Sequence, residues 1–121
     1  MKSSSNLPRF VHCVNLEMDF PTVDEARRRL AEELRSAKSR RVRVLKVIHG
    51  YGSSGVGGKL CHALRKSLAL RKKEGAISGY IPGEQLSIFN AATLDALNRF
   101  PELNGDPDLE RANEGITVVL L

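Results

Sequence analysis

Hydrophobic positions change their period several times along the chain, and each change predicts an element. In segment 10–18, Val14, Leu16 and Met18 alternate with polar residues, as in a half-buried strand. Segment 42–48 is an almost continuous apolar run, typical of a central strand covered on both faces. The four predicted strands are 10–18, 42–48, 76–81 and 116–121.

Two of the segments between these strands have apolar residues at helical spacing. The first begins at Thr22, where T-V-D-E has the form of a capping box between Thr22 and Glu25. Its apolar stripe continues to Ala37, and most charged residues fall off the stripe. The second helix is predicted for 58–73, with Gly75 as its C-terminal stop.

The order of these elements predicts the fold. Strand, helix and strand form a βαβ unit, whose two strands should be parallel with a right-handed crossover. We therefore expect an α/β fold: a compact two-layer sandwich in the order βαβαββ, with a mixed four-stranded sheet. Ligands of such sheets gather at the carboxyl ends of the strands. Residues 17–19 and 49–58 follow the first two strands, so we expect them at one edge.

The chain length predicts a single domain, 10–121, preceded by a flexible tail at 1–9. Segment 84–115 is its least regular part and has an acidic character. A short helix carrying Leu94 and Leu97 is predicted within it, followed by a long loop that turns at 106–108.

Composition excludes several classes of protein. Apolar residues make up 41% of the chain, which argues against wholesale disorder. No apolar run approaches the length that spans a bilayer, and the polar start lacks the apolar core of a signal peptide. Cys13 and Cys61 form no CxxC motif, and we expect two free thiols. These features predict a cytoplasmic protein with no membrane partner.

Charge is distributed unevenly. Segment 27–73 contains fifteen Lys or Arg against two acids, whereas 74–121 contains eight acids against two Arg. Such asymmetry favours a polyanionic partner for the basic half, DNA or RNA above all. The alternative is a solvated helix surface that only keeps the protein soluble.

A glycine-rich stretch, 47–60, joins the second strand to the second helix. Glycine lets the backbone approach an anion closely, and the first turn of a helix adds unpaired N–H groups. The stretch contains G-x-G-x-x-G, but after the second strand, where a dinucleotide fold would need it after the first. A Walker A loop fails because position 53 is Ser and position 60 is Leu. We therefore expect anion binding without a nucleotide cofactor; the alternative is a flexible loop with no ligand.

Three side chains near this edge suggest chemistry. His49 could act as a general acid or base, or could be a strand-end histidine bonded to the backbone. Glu17 and Asp19 could serve as a base or as metal ligands, or could be turn and cap residues. No histidine or cysteine has the spacing of a metal site, so no metal is expected outside the nuclease alternative. The residues assigned to nucleic-acid contacts are Gly50, Tyr51, Gly52, Ser53, Ser54, Lys59, Arg65 and Lys66, with Tyr51 suited to stacking on a base.

Three blocks of the sequence resemble the Smr (small MutS-related) domain family. Residues 16–26, L-E-M-D-F-P-T-V-D-E-A, resemble the family's opening L-D-L-H-G-x-T-V-E-E-A. Residues 47–52, V-I-H-G-Y-G, resemble its I-H-G-x-G block, which is the most specific of the three. Residues 115–121, G-I-T-V-V-L-L, resemble its closing G-A-T-V-x-L strand.

The resemblance implies a sandwich similar to the C-terminal domain of a translation initiation factor, and binding of DNA or RNA, with nicking or cleavage in several members. It implies that His49, Gly50, Tyr51 and Gly52 belong to the functional edge. The chain departs from the family where Glu17 and Asp19 replace Asp and His. An aspartate is anionic at neutral pH and repels a phosphate.

These features lead to one expectation and two alternatives. We expect a nucleic-acid-binding domain that contacts the phosphate backbone through the glycine-rich loop and basic helices, with nuclease activity reduced or lost. One alternative is an active endonuclease that uses His49 with Glu17 and Asp19, and only this one would call for a divalent metal. The other is a protein-interaction module that uses the acidic segment 84–115, or folds it over the basic surface as an autoinhibitor.

Overall fold

The computed structural model describes residues 11–19, 21–51 and 56–121, with the side chains of 56 and 57 left aside. Within these ranges, no helix is long and apolar enough to cross a membrane. The elements are β1 (His12–Asn15), α1 (Val23–Ser39), β2 (Val44–Ile48), α2 (Val56–Lys73), β3 (Gly79–Pro82), α3 (Ala91–Arg99) and β4 (Ile116–Leu120), with short 3₁₀ helices at Gly83–Gln85 and Pro101–Leu103.

The strands form one mixed sheet in the order β1-β2-β4-β3. β1 and β2 are parallel, and β4 is antiparallel to both β2 and β3. The predicted βαβ unit and the four-stranded mixed sheet are confirmed. Since β1, β2 and β3 point the same way, α1 and α2 both run back against them. Both helices therefore start at the carboxyl-end edge of these strands and finish at the amino-end edge.

The start of α1 follows the predicted capping box. Thr22 Oγ1 accepts from the Glu25 N–H at 3.1 Å, and Glu25 Oε1 accepts from the Thr22 N–H at 2.9 Å. This exchange satisfies two N–H groups that the helix itself leaves unpaired. The predicted stripe is the buried face of the helix: Ala26, Leu30, Leu34 and Ala37.

Residues of β2 alternate between two cores, one on each face of the sheet. Leu45 and Val47 pack with the leucines of α1 and α2. Val44 and Ile48 pack on the other face, against segment 84–115. The predicted sheet and helix layers are present, and this segment adds a further layer on the second face. Its buried apolar residues are Leu86, Ala96, Phe100 and Leu103.

Within this segment, the predicted short helix is present as α3. Asn90 caps it, because Asn90 Oδ1 accepts from the Thr93 N–H at 3.0 Å. With that start, Thr93 and Ala96 face the core and Leu94 is 47% exposed. Only Leu97 packs partly against the core.

The acidic loop after α3 is anchored to the sheet by a buried cation. Lys46 projects from β2, and its Nζ donates to Asp106 Oδ1 at 2.9 Å and to Asp108 Oδ2 at 2.6 Å. Burial alone would lower the pKa of Lys46, but the hydrogen bonds that it donates to Asp108 and Asp106 raise it overall. Charge pairing therefore adds to apolar packing in holding the loop against the second face.

Candidate functional site

The carboxyl-end edge brings Glu17 and Gly50 into direct contact. Gly50 has φ +74°, and a Cβ atom at this position would overlap the Glu17 carboxylate. The peptide groups of His49 and Gly50 both donate to the Gly115 carbonyl, each at 3.0 Å. The end of β1, the start of the glycine-rich loop and the residue before β4 therefore meet, as the topology predicted for the first two.

The turn that carries Glu17 is shaped by Asn15. Its Oδ1 accepts from the backbone N–H groups of Glu17 at 2.9 Å and Met18 at 3.1 Å. Asp19 follows in a left-handed conformation, φ +66°, with an exposed side chain. Across the described ranges, no hydrogen bond or ion pair connects Asp19 to Glu17 or His49, and no group of three or more His, Cys, Asp and Glu side chains could hold a metal ion.

His49 is fully buried, with 0% of its surface exposed. Its Nδ1 lies 2.8 Å from the Gly50 carbonyl, which can only accept, so Nδ1 carries a hydrogen. In the neutral ring Nε2 then accepts from the Thr117 hydroxyl at 2.9 Å. Burial lowers the pKa of His49 and favours this neutral form. Both ring nitrogens therefore form hydrogen bonds within the protein, as in the alternative of a strand-end histidine bonded to the backbone. The catalytic role of His49 stays a prediction.

Arg65 continues this network from α2. Its Nε donates to Thr117 Oγ1 at 2.9 Å, and its two terminal nitrogens form a bidentate pair with Glu84 at 2.8 and 2.7 Å. Arg65 also donates to the Ile116 carbonyl at 3.0 Å. The guanidinium that the sequence assigned to phosphate contacts thus ties α2 to β4 and to the start of segment 84–115. Sequence reasoning missed this because the partners lie 19 to 52 residues away.

The other predicted contact residues divide into three groups. Tyr51, next to Gly50 at the start of the glycine-rich loop, is 58% exposed, as a base-stacking residue would need to be. Lys59 and Lys66 are exposed on α2. Gly52, Ser53 and Ser54 lie outside the described residues.

A depression of about 660 Å³ lies beside Gly50 and Tyr51. Its charged lining consists of Glu17, Asp108 and Glu114, and none of the described residues that line it is Lys or Arg. We call it the carboxyl-end cleft. Sequence reasoning missed Asp108 and Glu114 as part of this edge, because segment 84–115 has no periodicity that reveals where it returns.

Comparison with known proteins agrees with this architecture. A family model described as the Smr domain matches residues 17–85. The crystal structure of the Smr domain of Thermus thermophilus MutS2 superposes with a TM-score of 0.57 at 22% sequence identity, over 92% of this chain and 98% of that chain. A search of curated proteins gave no significant match. The resemblance seen in the sequence is confirmed, and the chain belongs to the Smr domain family.

Proposed function

We propose that this Smr domain binds nucleic acid mainly through the phosphate backbone. The observation that carries the proposal is the charge that remains after internal pairing. Of the fifteen Lys and Arg in 27–73, only Arg43, Lys46 and Arg65 form ion pairs with acids of segment 84–115. Twelve have no such pair, and all belong to α1, α2 or the connection from α1 to β2. One of the twelve, Arg27, has only a long, exposed contact with Asp24 at 3.4 Å. Such a surface attracts phosphates whatever their sequence.

We further propose that nuclease activity is reduced or lost. Asp19 stands where the family motif has an imidazole, and its negative charge repels the negative charge of a phosphodiester. His49 has no exposed surface and both of its ring nitrogens are bonded. A general base must reach the proton that it abstracts, so His49 would have to leave its network to act.

Salt dependence tests the binding proposal. Fluorescence anisotropy with a labelled single strand and a labelled duplex should show affinity falling by tenfold or more between about 50 and about 200 mM salt, because counterions are released on binding. Binding that is unaffected by salt would contradict a backbone-directed interface, and so would no binding at all at the lower salt concentration.

The endonuclease alternative is supported by one observation, the contact of the Glu17 carboxylate with Gly50. Supercoiled plasmid and structured RNA should be incubated, with and without a divalent metal, with wild type, Glu17→Gln and Asp19→His. We expect little cleavage by wild type and at least tenfold more by Asp19→His, which restores the imidazole of the motif. Clear cleavage by wild type that Glu17→Gln abolishes would establish the alternative instead. His49→Ala is a poor probe here, since it also removes a buried hydrogen-bonding group.

The autoinhibitor version of the third function does not fit the position of segment 84–115. The segment packs on the face of the sheet opposite α1 and α2, and its apolar residues complete one of the two cores. Deleting it would expose that core rather than uncover the basic helices. The exposed side chains of Ile88, Phe89 and Leu94 support the protein-interaction version. Sedimentation of wild type and Phe89→Asp over a range of concentrations tests whether this patch drives self-association.

A further inference from the structure

The edge opposite the glycine-rich loop carries a second depression, of about 790 Å³. It lies where α1 and α2 end, between the connection from α1 to β2, the connection from α2 to β3 and the end of α3. Its charged lining consists of Lys38, Arg41, Arg43 and Arg99, with no acidic residue among the described residues that line it. We call it the amino-end cleft.

Two of these cations are held in place by an aromatic ring. The guanidinium carbons of Arg43 and Arg99 lie 5.2 and 5.1 Å from the centre of the Phe100 ring. Arg43 is also bonded to Glu102 at 3.0 and 2.7 Å, which offsets its charge locally. Arg99 donates to Ser78 Oγ at 3.0 Å and has only a long, exposed contact with Asp95 at 3.4 Å. Arg99 is therefore oriented while keeping most of its charge available.

Further cations extend the basic surface beyond the cleft. Arg71, Lys72 and Lys73 form the last turn of α2, just before the cleft residue Gly75. Cations in a last turn also interact favourably with the helix dipole, and this alone would explain a few of them. It does not explain Arg41, which lies beyond the end of α1, or the convergence of three separate elements on one cleft.

Arg41 also occupies a position that would suit glycine. It has φ +60° at the end of α1, whereas Gly75 has φ +79° at the corresponding end of α2. Left-handed backbone is strained for a residue with a Cβ atom. An arginine at this position adds an exposed positive charge to the lining of the cleft.

We propose that the amino-end cleft and the adjoining last turn of α2 are the main docking surface for the phosphodiester backbone of nucleic acid. The inference rests on the proposed nucleic-acid binding and moves its main contacts away from the glycine-rich loop. The carboxyl-end cleft is lined by Glu17, Asp108 and Glu114; Asp108 is paired with Lys46, and Glu17 and Glu114 are left to repel phosphates. The amino-end cleft is lined by cations alone among its charged residues, and only Arg43 of them is paired with Glu102. A surface that runs from the end of α2 to the end of α3 suits an extended polyanion better than a small one.

Two triple variants of equal charge test this placement. The amino-end variant is Arg41→Gln, Lys72→Gln, Lys73→Gln, and the control variant is Arg28→Gln, Lys59→Gln, Lys66→Gln. All six side chains are exposed. Affinity for a labelled single strand and a labelled duplex is measured across a salt series, and thermal unfolding checks that both variants fold. The amino-end variant should lose tenfold or more in affinity, and its salt slope should fall by about three, whereas the control should lose about threefold at most.

The outcomes separate the two proposals. If wild type binds neither nucleic acid, the proposed function fails and this inference fails with it. If wild type binds nucleic acid and the affinities of both variants fall equally, or that of the control falls more, the proposed function stands and this placement is overturned. A parallel titration with phosphatidylserine vesicles covers another polyanion: loss of vesicle binding alone in the amino-end variant would also overturn the placement.

Discussion

The two clefts lie at opposite ends of the same strands and have opposite charge. The carboxyl-end cleft contains the family motif, with Gly50 and Tyr51, but its charged lining is acidic. The amino-end cleft contains no part of that motif, and its charged lining is basic. The family motif and the basic cleft therefore lie at different edges of this domain, and the position of the motif does not show where the positive charge gathers.

Segment 84–115 and the helix directions produce this difference. The segment returns to β4 past the carboxyl-end edge, where it places Asp108 and Glu114 beside Glu17. Both long helices end at the amino-end edge, and their last turns carry lysine and arginine. Variants that alter one edge at a time should therefore differ in their effects on stability and on binding.

Removing the cation that anchors segment 84–115 should have the largest effect. Lys46→Ala leaves Asp106 and Asp108 largely buried without their partner, so the free energy of unfolding should fall by about 3–5 kcal/mol in a urea titration. The control is Lys46→Met combined with Asp106→Asn and Asp108→Asn, which removes all three charges and should recover most of the loss. A loss below about 1 kcal/mol in the single variant would show that apolar packing alone holds the wall of the carboxyl-end cleft.

Alanine at two of the left-handed glycines, Gly50 at the carboxyl-end edge and Gly75 at the amino-end edge, compares the edges directly. At Gly75 an added Cβ would have no atom from beyond the adjacent residues within 4 Å, so Gly75→Ala should cost only the backbone strain, about 1 kcal/mol. At Gly50 the new Cβ must also displace the Glu17 carboxylate, so Gly50→Ala should cost about 2 kcal/mol or more. In a Glu17→Ala background, Gly50→Ala should cost about as much unfolding free energy as Gly75→Ala does, measured by denaturant titration. Equal costs in the single variants would mean that Glu17 moves aside freely.

The free energy of unfolding should decrease as the pH is lowered, because His49 is buried in its neutral form. The pKa of His49 is lowered in the folded state, so the unfolded state binds more protons once pH drops below the ordinary value near 6.5. From that pH downward, the free energy of unfolding should fall by up to about 1.4 kcal/mol per pH unit until the folded pKa is reached.

Denaturant titrations across this pH range should show the same decrease in the free energy of unfolding in the control His62→Gln as in wild type. The decrease should be lost in His49→Gln. A slope that survives in His49→Gln would assign the effect to another group. Glu84 and Asp108, whose pKa values are also lowered in the folded state, lose their stabilising contribution at lower pH, from about pH 4.5 downward.

Arg41→Gly should have the smallest effect on stability and the opposite sign. Relief of the left-handed strain at φ +60° should raise the free energy of unfolding by about 0.5 kcal/mol. If the amino-end cleft binds phosphate, the same variant should weaken nucleic-acid binding severalfold through the loss of one contact. Greater stability with unchanged binding would remove Arg41 from the interface.

Local signals explain how much of the fold the sequence predicted. The capping box at Thr22 and the stripe through Leu30 and Leu34 specify α1 from residues close together in the chain, and the structure confirms them. The helix in 84–115 was predicted, but not which of its faces is buried, because the cap at Asn90 and the fit of Thr93 and Ala96 against the sheet set its rotation. A nine-residue helix is too short for periodicity to settle that choice.

The sequence predicted where the candidate site lies more fully than it predicted the interactions of its side chains. Parallel topology brought Glu17 to Gly50, as the order of the elements requires. The partners of His49 and Arg65 stayed hidden, because Thr117 lies 68 and 52 residues away from them. No local pattern shows whether a charged or titratable side chain at the end of an element turns inward or outward.

The sequence by itself determined the strands, the two long helices, the family motif and the uneven distribution of charge, because each depends on periodicity or spacing within a short stretch of chain. Only the tertiary structure decided which charges remain available and at which edge they gather. That outcome depends on where segment 84–115 returns, which acids it places beside Lys46 and Arg65, and the common direction of α1 and α2. These are contacts between distant residues, whose energies are set by burial and mutual distance rather than by position in the chain.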